Sequence, residues 1–120
     1  MTTATIRYPI TPVAKPRQTQ SDKWRQRPCV MRYRAFKDKC QDYAVHLPEA
    51  GAKVTFWIPM PKSWSKRKRA EMDGQPHQQR PDLDNLLKAI ADATYQDDSG
   101  IWQIAAEKRW GRKGAIRVEI

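Results

Sequence analysis

The chain predicts an α+β fold, a small mixed β-sheet with helices packed on it, as one domain over residues 1–120. Three observations carry that expectation. Strand-like alternation opens the chain and strand-like runs close it. Between them lies a stretch whose apolar residues recur at intervals of three and four, as on one face of a helix. A length of 120 residues supports one core. There are no internal repeats or low-complexity tracts.

Each element has its own signal. Thr5-Ile6-Arg7-Tyr8 alternates as a strand does, and Pro9, Pro12 and Pro16 then take the chain out of the sheet, because proline cannot donate to a ladder. A loop with Lys15 and Arg17 follows. Over residues 30–47, Tyr33, Phe36, Cys40, Tyr43, Ala44 and Leu47 fall at helical spacing, with Pro48 and Gly51 as stop signals. Residues 53–58, β-branched or aromatic after Lys53, end at Pro59 and Pro61, which predicts a strand. Ser65 is placed to cap a short basic helix over 66–72 that stops near Gly74. The clearest helix is 82–94, where Leu83, Leu86, Leu87, Ile90 and Thr94 form the buried stripe and Asp84, Asn85, Lys88 and Asp92 fall off it. Residues 101–110 and 115–120 read as strands, joined through Gly111-Arg112-Lys113-Gly114 as a hairpin.

Charge narrows the partner. With 23 Lys and Arg against 13 Asp and Glu, the net charge is +10, which favours a polyanion whose counterions are released on binding. Nucleic acid fits best. A membrane partner is disfavoured, since no long apolar run or basic amphipathic stretch occurs. The polar, proline-interrupted start does not read as a signal peptide, so the expected location is the cytoplasm. Cys29 and Cys40, with His46 and His77, match no zinc spacing and are read as reduced thiols. Trp24, Trp57, Trp102 and Trp110 are expected in the core or at a dimer interface.

Against this basic background, acids are concentrated in Asp82-Leu83-Asp84 and Asp97-Asp98. Pro81 favours an extended Arg80, after which Asp82 or Asp84 stands at a helix start, and Asp84 and Lys88 are neighbours on one flank. Carboxylates gathered in this way suit Mg²⁺, which prefers oxygen ligands and keeps open positions for phosphate and water. Lys88 adds a fixed positive charge, and Asp97-Asp98 a further carboxylate. Taken singly, each is more readily structural: Asp82 a helix cap, Asp84 with Lys88 a surface ion pair, and Asp97-Asp98 turn residues. Their coincidence within seventeen residues brings the two readings level. Spacing alone leaves both readings open.

At these residues the sequence resembles the RusA family of Holliday-junction endonucleases, often carried by phages and prophages. The resemblance rests on Asp82-Leu83-Asp84-Asn85-Leu86-Leu87-Lys88, on Ala91-Asp92-Ala93, and on Asp97-Asp98-Ser99 followed by Ile101-Trp102. Met60-Pro61-Lys62-Ser63-Trp64-Ser65, Lys66 to Arg69 and residues 74–77 look like the stretch leading into that motif in phage-type members. It implies a RusA-like fold, with Asp82, Asp84, Lys88 and Asp98 as catalytic residues and Asp82, Asp84 and Asp98 as metal ligands, Asp97 being the neighbouring acid. It further implies Mg²⁺, with Mn²⁺ as a substitute, no organic cofactor, and a homodimer that cuts opposing strands of four-way DNA junctions. The N-terminal half is less similar, and cleavage-sequence preference does not follow from it.

Basic segments supply expected DNA contacts. Lys66, Arg67, Lys68 and Arg69 form a dense run beside Trp64 that could follow phosphates while the ring stacks on a base, with Lys62, Lys15 and Arg17 adding to it. Arg109, Arg112 and Lys113 carry a weaker signal of the same kind, and a bare charge run is as readily a solvated surface. His46 and His77 have no partner in the pattern and stay outside the mechanism. Two alternatives remain, a non-catalytic DNA-binding phage protein and a less selective nuclease for branched DNA.

Overall fold

The computed structural model describes residues 4–16, 28–95 and 98–120; the backbone but not the side chain of Asp98 is included. Four strands, β1 (Thr5–Tyr8), β2 (Ala52–Pro59), β3 (Ile104–Gly111) and β4 (Ala115–Glu119), form one sheet in the order β1-β4-β2-β3. β4 runs antiparallel to both β1 and β2, whereas β2 and β3 are parallel, from Ala52 opposite Ile104 to Pro59 opposite Gly111. Helices α1 (Pro28–Asp42) and α3 (Leu83–Thr94) pack with the sheet, and the short α2 (Lys66–Met72) lies in the crossover from β2 to β3. The mixed sheet and helices are the expected α+β class.

The core follows from the two periodicities. Ala52, Val54 and Phe56 of β2, Ile116 and Val118 of β4, Tyr33, Phe36 and Cys40 of α1, and Leu86, Ala89 and Ile90 of α3 are all buried together. Burial pushes the Cys40 thiol up to about 11, so it is protonated near neutral pH and behaves as a small apolar side chain. Trp110 is buried, Trp57 is half-buried on the helix-free face, and Trp24 lies outside the described residues. Trp102 departs from a core role, being 77% exposed.

Two elements differ from the sequence expectation. The pair β3 and β4 is not a hairpin, because β2 lies between them and the link 112–114 passes over its end. The glycines of that link serve close approach. A Cβ on Gly111 would lie 3.3 Å from Cβ of Trp57, and one on Gly114 would lie 2.6 Å from Cα of Thr11. Alternation within each strand identified both, but spacing contains nothing about which neighbour a strand takes.

The first helix also stops sooner, at Asp42 rather than at 47. Ala44 adopts a left-handed backbone (φ 49°), its N–H donates to Gln41 O at 3.0 Å, and the Val45 N–H donates to Cys40 O at 2.9 Å. This reversed last turn buries Val45 and Leu47 and leaves Tyr43 and Ala44 exposed, so the apolar spacing continued past the helix by coincidence of burial. An alanine in that conformation is strained where glycine is not. Ala44→Gly is expected to raise stability by roughly 0.5–1 kcal/mol in urea denaturation, despite the extra freedom it gives the unfolded chain; a loss of stability would refute this account of the turn.

Candidate active site

The N-terminus of α3 is where the acids and the lysine meet. Asp82 occupies the cap position with extended backbone (φ −69°, ψ 144°), and its carbonyl accepts from the Leu86 N–H at 3.2 Å. Its side chain makes no capping hydrogen bond and is exposed. The simplest structural use of Asp82, satisfying a free helix N–H, is therefore not the one adopted. One turn on, the Asp84 carboxylate lies 3.7 Å from Lys88 Nζ, with both side chains well exposed at 70% and 62%. A pair so exposed contributes at most about 0.5 kcal/mol. The positive end of the helix adds further favourable potential for both carboxylates.

The third acid of the row is used differently. Asp84, Lys88 and Asp92 follow at four-residue intervals along one flank. The Asp92 carboxylate accepts from the Tyr33 hydroxyl and pairs with Lys37 at 3.3 Å and with Lys15 at 3.9 Å. The Tyr33 hydrogen bond, followed by the two lysines, holds it below the usual carboxylate range, and the hydroxyl is correspondingly pushed up by burial and by Asp92. Asp92 thus ties α1, α3 and the proline-rich segment together. Lys15 also donates its backbone N–H to Asn85 O at 3.2 Å, and Lys15, Pro16, Asn85 and Lys88 line an open pocket of about 450 Å³. Lys15 and Lys88 thereby line one open pocket on the flank of α3 that also carries Asp84.

The segment entering the site is pinned from β3. Lys108 Nζ donates to Pro81 O at 2.7 Å and to Gln79 O, the carbonyls just ahead of Asp82. His77 is almost fully buried, with its ring 4.2 Å from Trp110, and its backbone N–H donates to Lys108 O at 3.0 Å. Nothing in the sequence flags this clamp, because an alternating strand gives Lys108 no distinguishing pattern. Beyond α3, the Trp102 and Gln103 N–H groups donate to Glu49 O at 3.0 and 3.4 Å, fixing the chain that follows the short 3₁₀ turn Asp98–Gly100. Ile101 and Ile104 share with Leu87 and Lys88 a groove of about 200 Å³, which places that segment on the Lys88 flank of α3.

Of the sequence-predicted site residues, Asp82, Asp84, Lys88 and Lys15 are gathered around one helix end. Asp97 and Arg17 lie outside the described residues. Among the described residues no group of three His, Cys, Asp or Glu forms a metal cluster. The residues still fit a hard cation, since Asp82 and Asp84 present exposed oxygens, Asp82 without a cap bond and Asp84 with one loose ion pair. Lys66, Arg67 and Lys68 are exposed on α2, Arg67 paired with Glu71 at 3.3 Å, while Arg69 is half-buried. Ser65 caps this helix as its spacing predicts, accepting from the Lys68 N–H at 3.1 Å. Lys62 is exposed just before it. The Trp64 ring packs on Trp110 at 4.8 Å and lies 4.3 Å from Lys68 Nζ.

A basic chain that exposes unspent carboxylates at a helix end, with lysines beside them, has the make-up of an enzyme acting on phosphodiesters. The family comparison agrees: the model for Endodeoxyribonuclease RusA matches residues 9–120, and the chain belongs to this endodeoxyribonuclease family. No curated protein matches it at a significant level. Among the described residues no helix is long and apolar enough to cross a membrane.

Burial first, and then the charge of Lys108, pull the His77 imidazole below its ordinary 6.5, so the folded chain resists a proton that the unfolded chain accepts. The unfolded state binds more protons as the pH falls below about 6.5, and stability is lost in that direction. Between pH 7.5 and 5.5, urea denaturation should show a decline that His77→Leu largely removes. An identical decline in the variant would assign it to other groups.

Proposed function

We propose that this chain is a Mg²⁺-dependent endodeoxyribonuclease that binds four-way DNA junctions and resolves them by paired incisions, Mn²⁺ substituting for Mg²⁺. The observation that carries the reading is the uncapped Asp82 beside the Asp84–Lys88 pair at the start of α3. Asp82 and Asp84, with Asp98 and its neighbour Asp97, would hold the divalent ion. When bound it supplies Lewis-acid stabilisation of phosphate charge and a more acidic water. Lys88 sets a compact positive charge beside the oxygens on which negative charge grows, and Lys15 helps to orient the phosphate in the shared pocket. Lys62, Trp64 and the exposed cations of α2 extend the surface along the DNA, and Arg17, two residues after Lys15 in the sequence, is expected to add to it. The domain assignment, residues 1–120 as one nuclease unit, is part of the same reading.

A homodimer follows from the substrate's near two-fold symmetry, which requires two sites related by the same operation. Exposed Trp102, with the neighbouring groove of Leu47, Leu87, Ile101 and Ile104, supports a self-association surface close to the site. A cleavage assay that compares a mobile four-way junction, duplex, flap and single strand tests the substrate directly. Preference for the junction supports resolution; equal cutting of all branched forms supports the less selective nuclease.

Asp82→Asn keeps shape and removes one ligand charge, so single-turnover cleavage should fall by roughly 10²-fold or more while junction affinity is retained or improved. Lys88→Ala should lower the rate far more than the affinity, and Lys88→Arg should also be poor, because a broad guanidinium does not replace a point charge. Near wild-type cutting by Asp82→Asn would remove that residue from the metal site, and full activity of Lys88→Ala would leave Lys88 as a surface ion-pair partner. A mixed dimer of wild-type and Asp84→Asn chains should nick one strand of a junction without the paired second cut. Sedimentation of a fully active monomer, or loss of both cuts in the mixed dimer, would defeat the two-site arrangement.

A further inference from the structure

Among the described residues, helices cover one face of the sheet only. By register, the other face is built in rows: Thr5, Glu119, Lys53 and Ala105; then Arg7, Arg117, Thr55 and Glu107; then Ala115, Trp57 and Arg109. Most of its charges are already spent. Glu107 pairs with Lys53 at 3.2 Å and with Arg109 at 3.0 Å, and Arg117 pairs with Glu119 at 3.0 Å and reaches the buried Thr55 hydroxyl at 3.5 Å. Arg7 and Lys113 are exposed and have no carboxylate partner among the described residues. Arg112 has only a loose contact, 3.6 Å, with Asp73.

These unspent cations surround one depression. Arg7, Trp57, Asp73, Gly111, Arg112 and Lys113 line an open pocket of about 370 Å³. Arg7 and Arg117 both lie over the Trp57 ring, 5.7 and 5.8 Å from its centroid, and the indole Nε1 is buried with no acceptor. Counted over the rows and the pocket, Lys53, Arg7, Arg109, Arg112, Lys113 and Arg117 oppose Asp73, Glu107 and Glu119, leaving a net positive surface. Asp73 caps the C-terminal end of α2, so this surface continues into the cations of that helix.

We propose that the helix-free face carries a second DNA-backbone contact, formed by Arg7, Arg112 and Lys113 around Trp57 and separate from the carboxylate site. It rests on the reading of DNA as the substrate. The guanidinium of Arg7, held over an aromatic face, is oriented before binding and loses little freedom when a phosphate arrives. A second copy of the chain is the poorer occupant, because a two-fold interface sets the same positive surface against itself. For a branched substrate the consequence is geometric: one chain can hold one stretch of backbone at the α3 site and another across its sheet.

The test is binding of a fluorescently labelled four-way junction without divalent ions, followed by anisotropy over a salt series. Arg7→Gln with Lys113→Gln should weaken affinity about tenfold and reduce the slope of log affinity against log salt by about 2, as two phosphate contacts predict. Single-turnover cleavage at saturating protein should be unchanged. A charge-matched control, Arg32→Gln with Arg34→Gln on the exposed side of α1, should lose clearly less. Affinity within about twofold of wild type, an equal loss in the control, or a change of mass on sedimentation would overturn the proposal, the last by assigning the face to a second copy. The two readings fail separately. If the wild type binds but never nicks, the nuclease reading falls; if it nicks and the double variant binds normally, this contact falls.

Discussion

Parallel pairing of β2 with β3 is the constraint from which the rest of the molecule follows. Two parallel strands cannot be joined by a tight turn, so the chain between Pro59 and Ile104 must leave the sheet and return to its opposite end. That crossover contains α2, the segment pinned by Lys108, α3 and the 3₁₀ turn. The proposed metal ligands and Lys88 therefore lie in one excursion of the chain, and Lys15 is brought to it from outside. Its apolar stripe of Leu86, Ala89 and Ile90 is driven into the core, which fixes the direction in which the opposite flank, with Asp84 and Lys88, must face.

The three acids of α3 show how the same side chain takes different roles through its neighbours. Asp92 is committed to Tyr33, Lys37 and Lys15, Asp84 has one loose partner in Lys88, and Asp82 has no cap bond at all. The gradient runs from the last turn of the helix to its exposed start. Structural work falls where α1 can reach, and beyond that reach the carboxylates remain available to a ligand.

Local signals were legible to different depths. The strands at Thr5–Tyr8 and Ala52–Pro59, the Ser65-capped α2 and the stripe of α3 could be read because alternation, capping and helical spacing are properties of neighbouring residues. The Asp82, Asp84 and Lys88 grouping was legible for the same reason. What spacing could not show was the insertion of β2 between β3 and β4, the reversed turn at Ala44, or the Lys108 clamp on the Pro81 carbonyl. The first and the last depend on contacts between distant parts of the chain, and the turn is local but closes on an alanine, which does not signal a left-handed backbone. Gly111 and Gly114 illustrate the difference: a pair of glycines around two cations looks like a hairpin turn, yet the space they save is for Trp57 and Thr11.

The order β1-β4-β2-β3 also governs when the sheet can close. Among the described strands β1 is synthesised first, yet it pairs with β4, the last of them, and β4 must enter between β1 and β2. Until residues 115–119 are free to pair, one edge of β2 stays open and β1 has no ladder to join. Contacts of such long sequence separation delay folding, because the intervening chain must be ordered before they form. A nascent chain of this protein thus carries its own unfinished edge until β4 is made, and sheet assembly is by its connectivity a late event.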